Sequence, residues 1–232
     1  MRSIECKLSP TQFLVNIKQT NMKNRIWLLP GLLGTLLLMA GCSKEPLDNL
    51  TPEESRIYTT SYDSSANFQE YKTFSIADSV AVIENGTVIK DHTASDDAYI
   101  NAMKEMMQQR GYLLVDKNQS PDIAIAVNRV YNTTTGYFDY GGYWGYYGGY
   151  WDPYYWGFGG YPYNVPYVVG VYQITEGLYS IDMFDLKNAV SEQEINLIWN
   201  GLARGTGVFN AATANEAIST MFAQSPYLKA TN

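Results

Sequence analysis

After residue 56 the apolar and polar positions follow a strand period over most of the chain, and switch to a helical period twice. Ile57-Tyr58-Thr59-Thr60-Ser61-Tyr62 is β-branched and aromatic and predicts a strand. Tyr71-Lys72-Thr73-Phe74-Ser75-Ile76 alternates and predicts a second, with turn chemistry in Asp63-Ser64-Ser65-Ala66-Asn67 between them. Residues 80–89 are apolar around Asn85-Gly86, the dipeptide favoured in two-residue hairpin turns, so a small hairpin is expected. A helix is predicted over 96–110. Ser95 offers an N-cap, Asp96 and Asp97 place negative charge at the positive end of the helix dipole, and Gly111 stops it. Ile100, Met103 and Met107 recur at helical spacing and form its buried face. Strands are expected at 112–115, 123–131, 172–184 and 196–201. The last helix starts at Thr213, with a Thr213/Glu216 capping box, Ile218, Met221 and Phe222 facing inward, and Pro226 beyond its end. The order β-β-α-β-β, insertion, β-β-α predicts an α+β fold. It consists of a largely antiparallel sheet with two helices packed on it, plus an inserted Gly/Tyr/Trp-rich loop.

The first 55 residues have a different pattern. Residues 26–40 form an apolar run of 15 interrupted by Pro30, Gly31 and Gly34. That is short of the roughly 20 residues a membrane-spanning helix requires. Lys23 and Arg25 precede the run and small residues follow it, which is the three-part pattern of a secretory signal peptide. Met39-Ala40-Gly41-Cys42 resembles a bacterial lipobox, with Met where Leu is commoner, and such a Cys becomes the lipidated first residue of the mature chain. Lipidation of Cys42 would attach three acyl chains. At about 0.8 kcal/mol per buried methylene these hold a protein at a membrane without spanning it. Met22-Lys23-Asn24-Arg25 makes a compact start. The chain therefore divides into a dispensable extension (1–21), a lipoprotein signal peptide (22–41), a polar tether (42–55) and one domain (56–228) with an insertion at 136–168. Cys6 leaves with the extension, so Cys42 is the only mature cysteine and no intramolecular disulfide is expected. Ser43 stands where an Asp favours inner-membrane retention in some two-membrane bacteria. The expected location is the cell envelope, at the outer membrane and on its periplasmic face.

The insertion is compositionally extreme. Residues 137–163 contain ten Tyr, three Trp, two Phe and eight Gly among 27 positions, with no Lys or Arg. Glycine at this density opposes a helix, and steady alternation is missing. Rigid amphipathic rings are enriched at binding hot spots, and they also stack on sugars or sit at membrane interfaces. Tyr143, Trp144, Tyr146, Trp151, Tyr155 and Trp156 are the candidate ligand- or partner-binding residues, with envelope proteins or glycans as the candidate partners. A low-complexity loop, partly packed on the domain and without a specific ligand, is the plainer alternative.

Charge narrows the partners. Taking the five basic residues and one acid of residues 1–41 from totals of 16 and 23 leaves 11 and 22, a net charge of −11. A chain this acidic repels phosphate backbones, and the aromatic tract lacks the cations that single-strand binders combine with stacking rings, so no nucleic acid partner is expected. Catalytic chemistry is sparse. His92 is the sole histidine, beside Asp91 in a polar loop, and no mature thiol remains as a nucleophile. No metal site and no cofactor are expected, since Gly205-Thr206-Gly207 lacks the third glycine and strand–helix context of a nucleotide loop. Asp182 and Asp185 are the remaining option for a hydrolase. Three apart on a regular strand, they would point to opposite faces and shape the strand end instead. No catalytic residues are assigned.

Tyr62-Asp63 with Ala66-Asn67-Phe68, then Tyr71-Lys72-Thr73-Phe74, Arg110-Gly111-Tyr112, Pro121-Asp122-Ile123, the Gly-Tyr-Trp insertion, and Asp182, Asp185 and Trp199-Asn200-Gly201 occur in an order that resembles the bacterial lipoprotein family known as domain of unknown function 4136. The resemblance covers nearly all of residues 57–228, although residues 186–196 are longer than the usual hairpin there. It implies an envelope location and an α+β fold, and brings no established activity or catalytic residues. The reading is a non-enzymatic, lipid-anchored envelope protein that binds or scaffolds other components through its aromatic tract. A glycan-binding module is the alternative, and a carboxylate-dependent hydrolase a more distant one.

Overall fold

The structure is a computed structural model. It describes residues 51–84, 87–89, 91–131, 136–138, 153–164, 172–174 and 177–231, with the backbone alone for 87–89, 136–138 and 172–174. β1 (Ile57–Tyr62), β2 (Thr73–Ile76), β3 (Ala81–Glu84) and β4 (Thr87–Ile89) precede the long helix α1 (Ala94–Gln109). β5 (Leu113–Leu114), β6 (Ile123–Tyr131), β7 (Gly136–Phe138), β8 (Tyr163–Asn164), β9 (Tyr172–Ile174) and β10 (Leu178–Asp185) follow. A short α2 (Ala189–Glu192), the strand β11 (Ile195–Arg204) and the helix α3 (Ala214–Gln224) complete the order.

The sheet is built around an antiparallel centre in the order β1-β11-β10-β6. β2 and β3 lie end to end along the outer side of β6 and run parallel to it, β2 against 123–125 and β3 against 128–131. β5 extends β2 in parallel, and β4 returns antiparallel along β3 as the expected two-residue hairpin. β8, from inside the insertion, pairs in parallel with the start of β11, while β7 and β9 form a separate antiparallel ladder. This is the expected α+β architecture, with α1 and α3 packed on one face.

Both faces of the central strands are buried. Every residue of β10 is buried, as are eight of the nine in β6. The usual inside-outside alternation of an antiparallel strand is therefore replaced by burial on both faces, with the polar Asn128, Arg129, Ser180, Asp182 and Asp185 held inside among apolar residues. On the helical face Phe74, Ile125, Val127, Tyr179, Ile181 and Met183 meet Met103 and Met107 of α1 and Ile218, Met221 and Phe222 of α3. Each large apolar side chain buried this fully contributes about 1.5–3 kcal/mol. The opposite face carries Ala124, Ala126, Leu178, Phe184, Leu197 and Leu202, packed with Trp156, Leu186 and Ile195. Between Met183 and Phe184 the β10–β11 register shifts, skipping Ile198. This bulge turns both Ile198 and Trp199 to the helical face. Trp199 then donates from Nε1 to Ser225 Oγ at 2.9 Å, and Gly201 leaves room for its ring, since a Cβ there would lie 2.5 Å from Trp199 Cη2.

Three sequence expectations are corrected. The 172–184 strand is two strands. Gly177 interrupts it at φ +140, a conformation side-chain-bearing residues avoid, and a Cβ there would meet Phe209 at 2.5 Å and the Val130 carbonyl at 2.7 Å. The cap of α1 is Thr93, not Ser95. Thr93 and Asp96 form a reciprocal capping box, and Ser95 is turned inward to Tyr179. The Thr213/Glu216 box is absent. A 3₁₀ turn (Ala211–Thr213) capped by Asn210 leads into α3, so Thr213 is already in helical geometry. Its hydroxyl instead donates back to the Asn210 carbonyl at 2.7 Å, and Glu216 accepts from Arg56.

Candidate functional site

Among the predicted binding residues, Tyr155 and Trp156 fall within the described residues. Cys42, Tyr143, Trp144, Tyr146 and Trp151 lie outside them. Residues 153–158 form a turn, closed by Phe158 N donating to the Pro153 carbonyl at 2.8 Å, that folds over the non-helical face of the sheet. Trp156 is only 4% exposed and belongs to the core of that face. Its expected role as a surface ring is corrected to that extent: most of the indole is covered by protein. Its Nε1–H is buried and has no hydrogen-bond acceptor. Tyr155 is half-buried, edge-on to Trp156 with ring centroids 4.8 Å apart, and Lys117 Nζ lies 3.8 Å above its ring. Tyr154, which the sequence reading passed over, projects outward and is 75% exposed.

These three aromatics form one wall of a cleft of about 690 Å³. The second wall is the loop Lys117, Asn118, Ser120, Pro121 and Asp122, and the third is Leu186, Lys187 and Val190 after β10. The loop is held by short-range bonds: Asp116 caps the turn Lys117–Gln119 and exchanges bonds with Asn118 and Gln119, and Ser120 adopts the left-handed conformation at φ 51. Asp122 ties the second and third walls to the sheet. Its carboxylate accepts from the backbone N–H of Lys72 at 2.6 Å and of Thr73 at 3.1 Å, and its carbonyl accepts from Leu186 N and Lys187 N. Lys187 Nζ donates to the Glu70 carbonyl at 2.8 Å, and Val190 is 66% exposed. A second hollow of about 420 Å³ adjoins the first, sharing Lys117 and Tyr155 and adding Asp78, Lys104 and Asp116 among others. The sequence showed the aromatics. It held no sign of Lys117 and Lys187 at the same place, because tertiary structure alone joins residues 70 positions apart.

The two carboxylates weighed as a catalytic pair face opposite sides of β10. Asp182, on the non-helical face, is fully buried and accepts from Asn128 Nδ2 (2.6 Å), Asn200 Nδ2 (2.6 Å) and Ser180 Oγ (3.0 Å). Asp185, at the strand end on the other face, accepts from Tyr71 OH at 2.8 Å and from Asn188 at 2.7 and 3.0 Å. Burial, reinforced by the Asp185 charge, pushes the Tyr71 hydroxyl well above the usual phenol range, so it stays protonated and donates. His92 lies in the loop before α1, half-exposed, with Nε2 3.0 Å from Asp97 Oδ1. Among the described residues no group of three or more His, Cys, Asp or Glu side chains could hold a metal ion, and no helix is long and apolar enough to cross a membrane.

A buried charge network escaped the sequence reading. Arg129, 2% exposed in the middle of β6, sets Nε 2.9 Å from Asp96 Oδ1 in ion-pair contact outside hydrogen-bond geometry, and donates from Nη2 to Asp96 at 3.2 Å and to Asp91 at 2.8 Å. Its Nη1 meets Tyr131 OH. Tyr179 OH donates to Asp96 Oδ1 at 2.6 Å. Burial opposes the arginine's charge, but Asp91, Tyr131 and Asp96 together outweigh it and raise its pKa. The available signal was an Arg inside the apolar run 123–131, since a charge in a doubly covered strand demands a partner.

The chain belongs to the family described as domain of unknown function (DUF4136), whose model matches residues 58–227. It is similar to a DUF4136 family protein from Bacteroides thetaiotaomicron VPI-5482, solved by crystallography at 1.60 Å, with 29% sequence identity and a TM-score of 0.60 over 75% of this chain and 98% of that one. Two more distant likenesses carry no argument. The PelC dodecamer from Paraburkholderia phytofirmans is 9% identical at a TM-score of 0.37, over 76% of this chain and 99% of that one. A PDZ domain protein from Parabacteroides distasonis ATCC 8503 is 14% identical at 0.41, over 75% of this chain and 37% of that one. No curated protein shows significant similarity to the chain.

Proposed function

We propose that this DUF4136 protein is a non-enzymatic, lipid-anchored component of the cell envelope that binds or scaffolds other envelope components through the aromatic-glycine tract. The anchor is Cys42, held at the periplasmic face of the outer membrane by its acyl chains. The observation that carries the reading is the run 26–40 ending in Met39-Ala40-Gly41-Cys42, which supplies a membrane address and a single thiol to acylate. Two features support a binding role over a catalytic one. Asp182 and Asp185 sit on opposite faces of β10, whereas a carboxylate pair must flank one substrate. The described end of the tract presents Tyr154 outward beside a cleft instead of burying it.

Metabolic labelling with an alkyne fatty acid tests the anchor. The wild type is expected to carry label and to sediment with membranes, and Cys42→Ser to lose both; an unlabelled, freely soluble wild type refutes the reading. In-cell photocrosslinking from position 146 tests the scaffold. A discrete protein adduct supports it, and adduct-free chains under conditions that crosslink a control count against it.

A further inference from the structure

The cleft beneath residues 153–158 combines three features that no structural role explains together. Tyr154, 75% exposed, sets its ring at the mouth beside Gly159. Trp156, 4% exposed, lines it and holds a buried indole N–H with no acceptor. Lys117 and Lys187 bring two cations to its rim, in a chain whose net charge is −7. One carboxylate, Asp122, also lines the cleft, but it already accepts two backbone N–H bonds. Lys187 uses one of its three donor hydrogens on the Glu70 carbonyl, and Lys117 sits over the Tyr155 ring, so both ammonium groups retain hydrogens for a ligand.

We propose that this cleft binds a segment of acidic polysaccharide, with a sugar ring stacked on Tyr154, a hydroxyl or ring oxygen accepting from Trp156 Nε1, and uronate carboxylates paired with Lys117 and Lys187. This deepens the binding role assigned to the tract and rests on it. The chemistry selects a sugar over other anions. A flat ring can stack on the C–H face of a pyranose, and a hydroxyl or ring oxygen of the same sugar can accept from the buried N–H, so one ligand supplies both contacts alongside its charge. The second hollow shares Lys117 and Tyr155 with the first and sets Lys104 beside Asp78 and Asp116, so the surface continues past one sugar into a hollow of mixed charge.

The test uses the full-length protein in detergent micelles and measures binding by calorimetry to sodium polygalacturonate, neutral dextran and poly-L-glutamate. Polygalacturonate is expected to bind, dextran at least tenfold more weakly, and the affinity to fall as salt rises. Tyr154→Ala should weaken polygalacturonate at least fivefold. Lys117→Met with Lys187→Met should weaken it at least tenfold and flatten the salt dependence. Tyr154 and Lys187 are exposed and Lys117 is partly so, and far-UV circular dichroism checks that each variant keeps the fold. A wild type that ignores polygalacturonate overturns the proposal and leaves the anchored-scaffold reading to its own labelling and crosslinking tests. Equal affinity for poly-L-glutamate overturns the sugar assignment in favour of an acidic peptide. Binding abolished by Trp144→Ala with Trp151→Ala but untouched by the cleft variants overturns this site while supporting the tract.

Discussion

Arg129 and Asp96 offer the sharpest quantitative test of the fold. Both are buried, the arginine at 2% exposure and the aspartate at 0%, so solvent screens neither. Arg129→Met keeps most of the apolar stem and deletes the cation. Asp96 would then keep Thr93 N, Thr93 Oγ1 and Tyr179 OH as donors but lose Arg129, the cation paired with it among the described residues. Removing one partner of a buried pair typically costs about 3–5 kcal/mol, and the three remaining donors place this variant near 3. Asp96→Asn leaves Arg129 with Asp91, a group 49% exposed on the rim, and weakens the cap of α1 as well. Its cost should reach about 4 kcal/mol, with roughly 1 of that from the cap. In a domain of this size these losses lower Tm by roughly 6–16 °C. The double variant buries no uncompensated charge and should be at least about 1 kcal/mol more stable than the sum of the single losses implies. Urea unfolding followed by near-UV circular dichroism measures all four chains. Single losses below about 1 kcal/mol, or strict additivity, would refute the claim that the two charges are energetically coupled.

Other outcomes are as definite. Trp156→Ala should lower stability by about 3 kcal/mol, because the ring is core as well as cleft wall; a change under about 0.5 kcal/mol in the urea midpoint analysis would make it a surface ring. Gly201→Ala forces a methyl to within 2.5 Å of Trp199 and 2.8 Å of Met221 Sδ, so a loss of about 1–3 kcal/mol is expected, with a changed near-UV tryptophan signal. The hydrogen bond from Arg129, working against burial, holds the Asp91 carboxyl below its ordinary range. A depressed value in the folded state means the contribution is fully present above about pH 4 and is lost as pH falls through the lower, folded value. The stability difference between wild type and Asp91→Asn should thus be constant above about pH 5 and shrink below pH 4; a difference unchanged down to pH 2 would contradict the assigned pair.

Local chemistry made much of the architecture legible before any coordinates. Asn85-Gly86 announced the hairpin of β3 and β4, the spacing of Ile100, Met103 and Met107 gave the inner face of α1, and the run 123–131 gave β6, because turn propensity and hydrophobic period act over a few residues. The proposed N-terminal address rests on signals that are equally local, since the pattern over residues 22–42 is contiguous. What acts at a distance was decided by tertiary structure. Thr93 caps α1 because Ser95 has a buried partner in Tyr179, and Gly177 breaks the 172–184 run because Phe209 and the Val130 carbonyl crowd it from elsewhere in the fold. Arg129 finds Asp96 and Asp91 across 33 and 38 residues. The cleft brings Lys117, Tyr154 and Lys187 together from three separate segments. A single residue's propensity reflects its neighbours in sequence, whereas burial, charge pairing and concavity depend on which surfaces the folded sheet brings into contact.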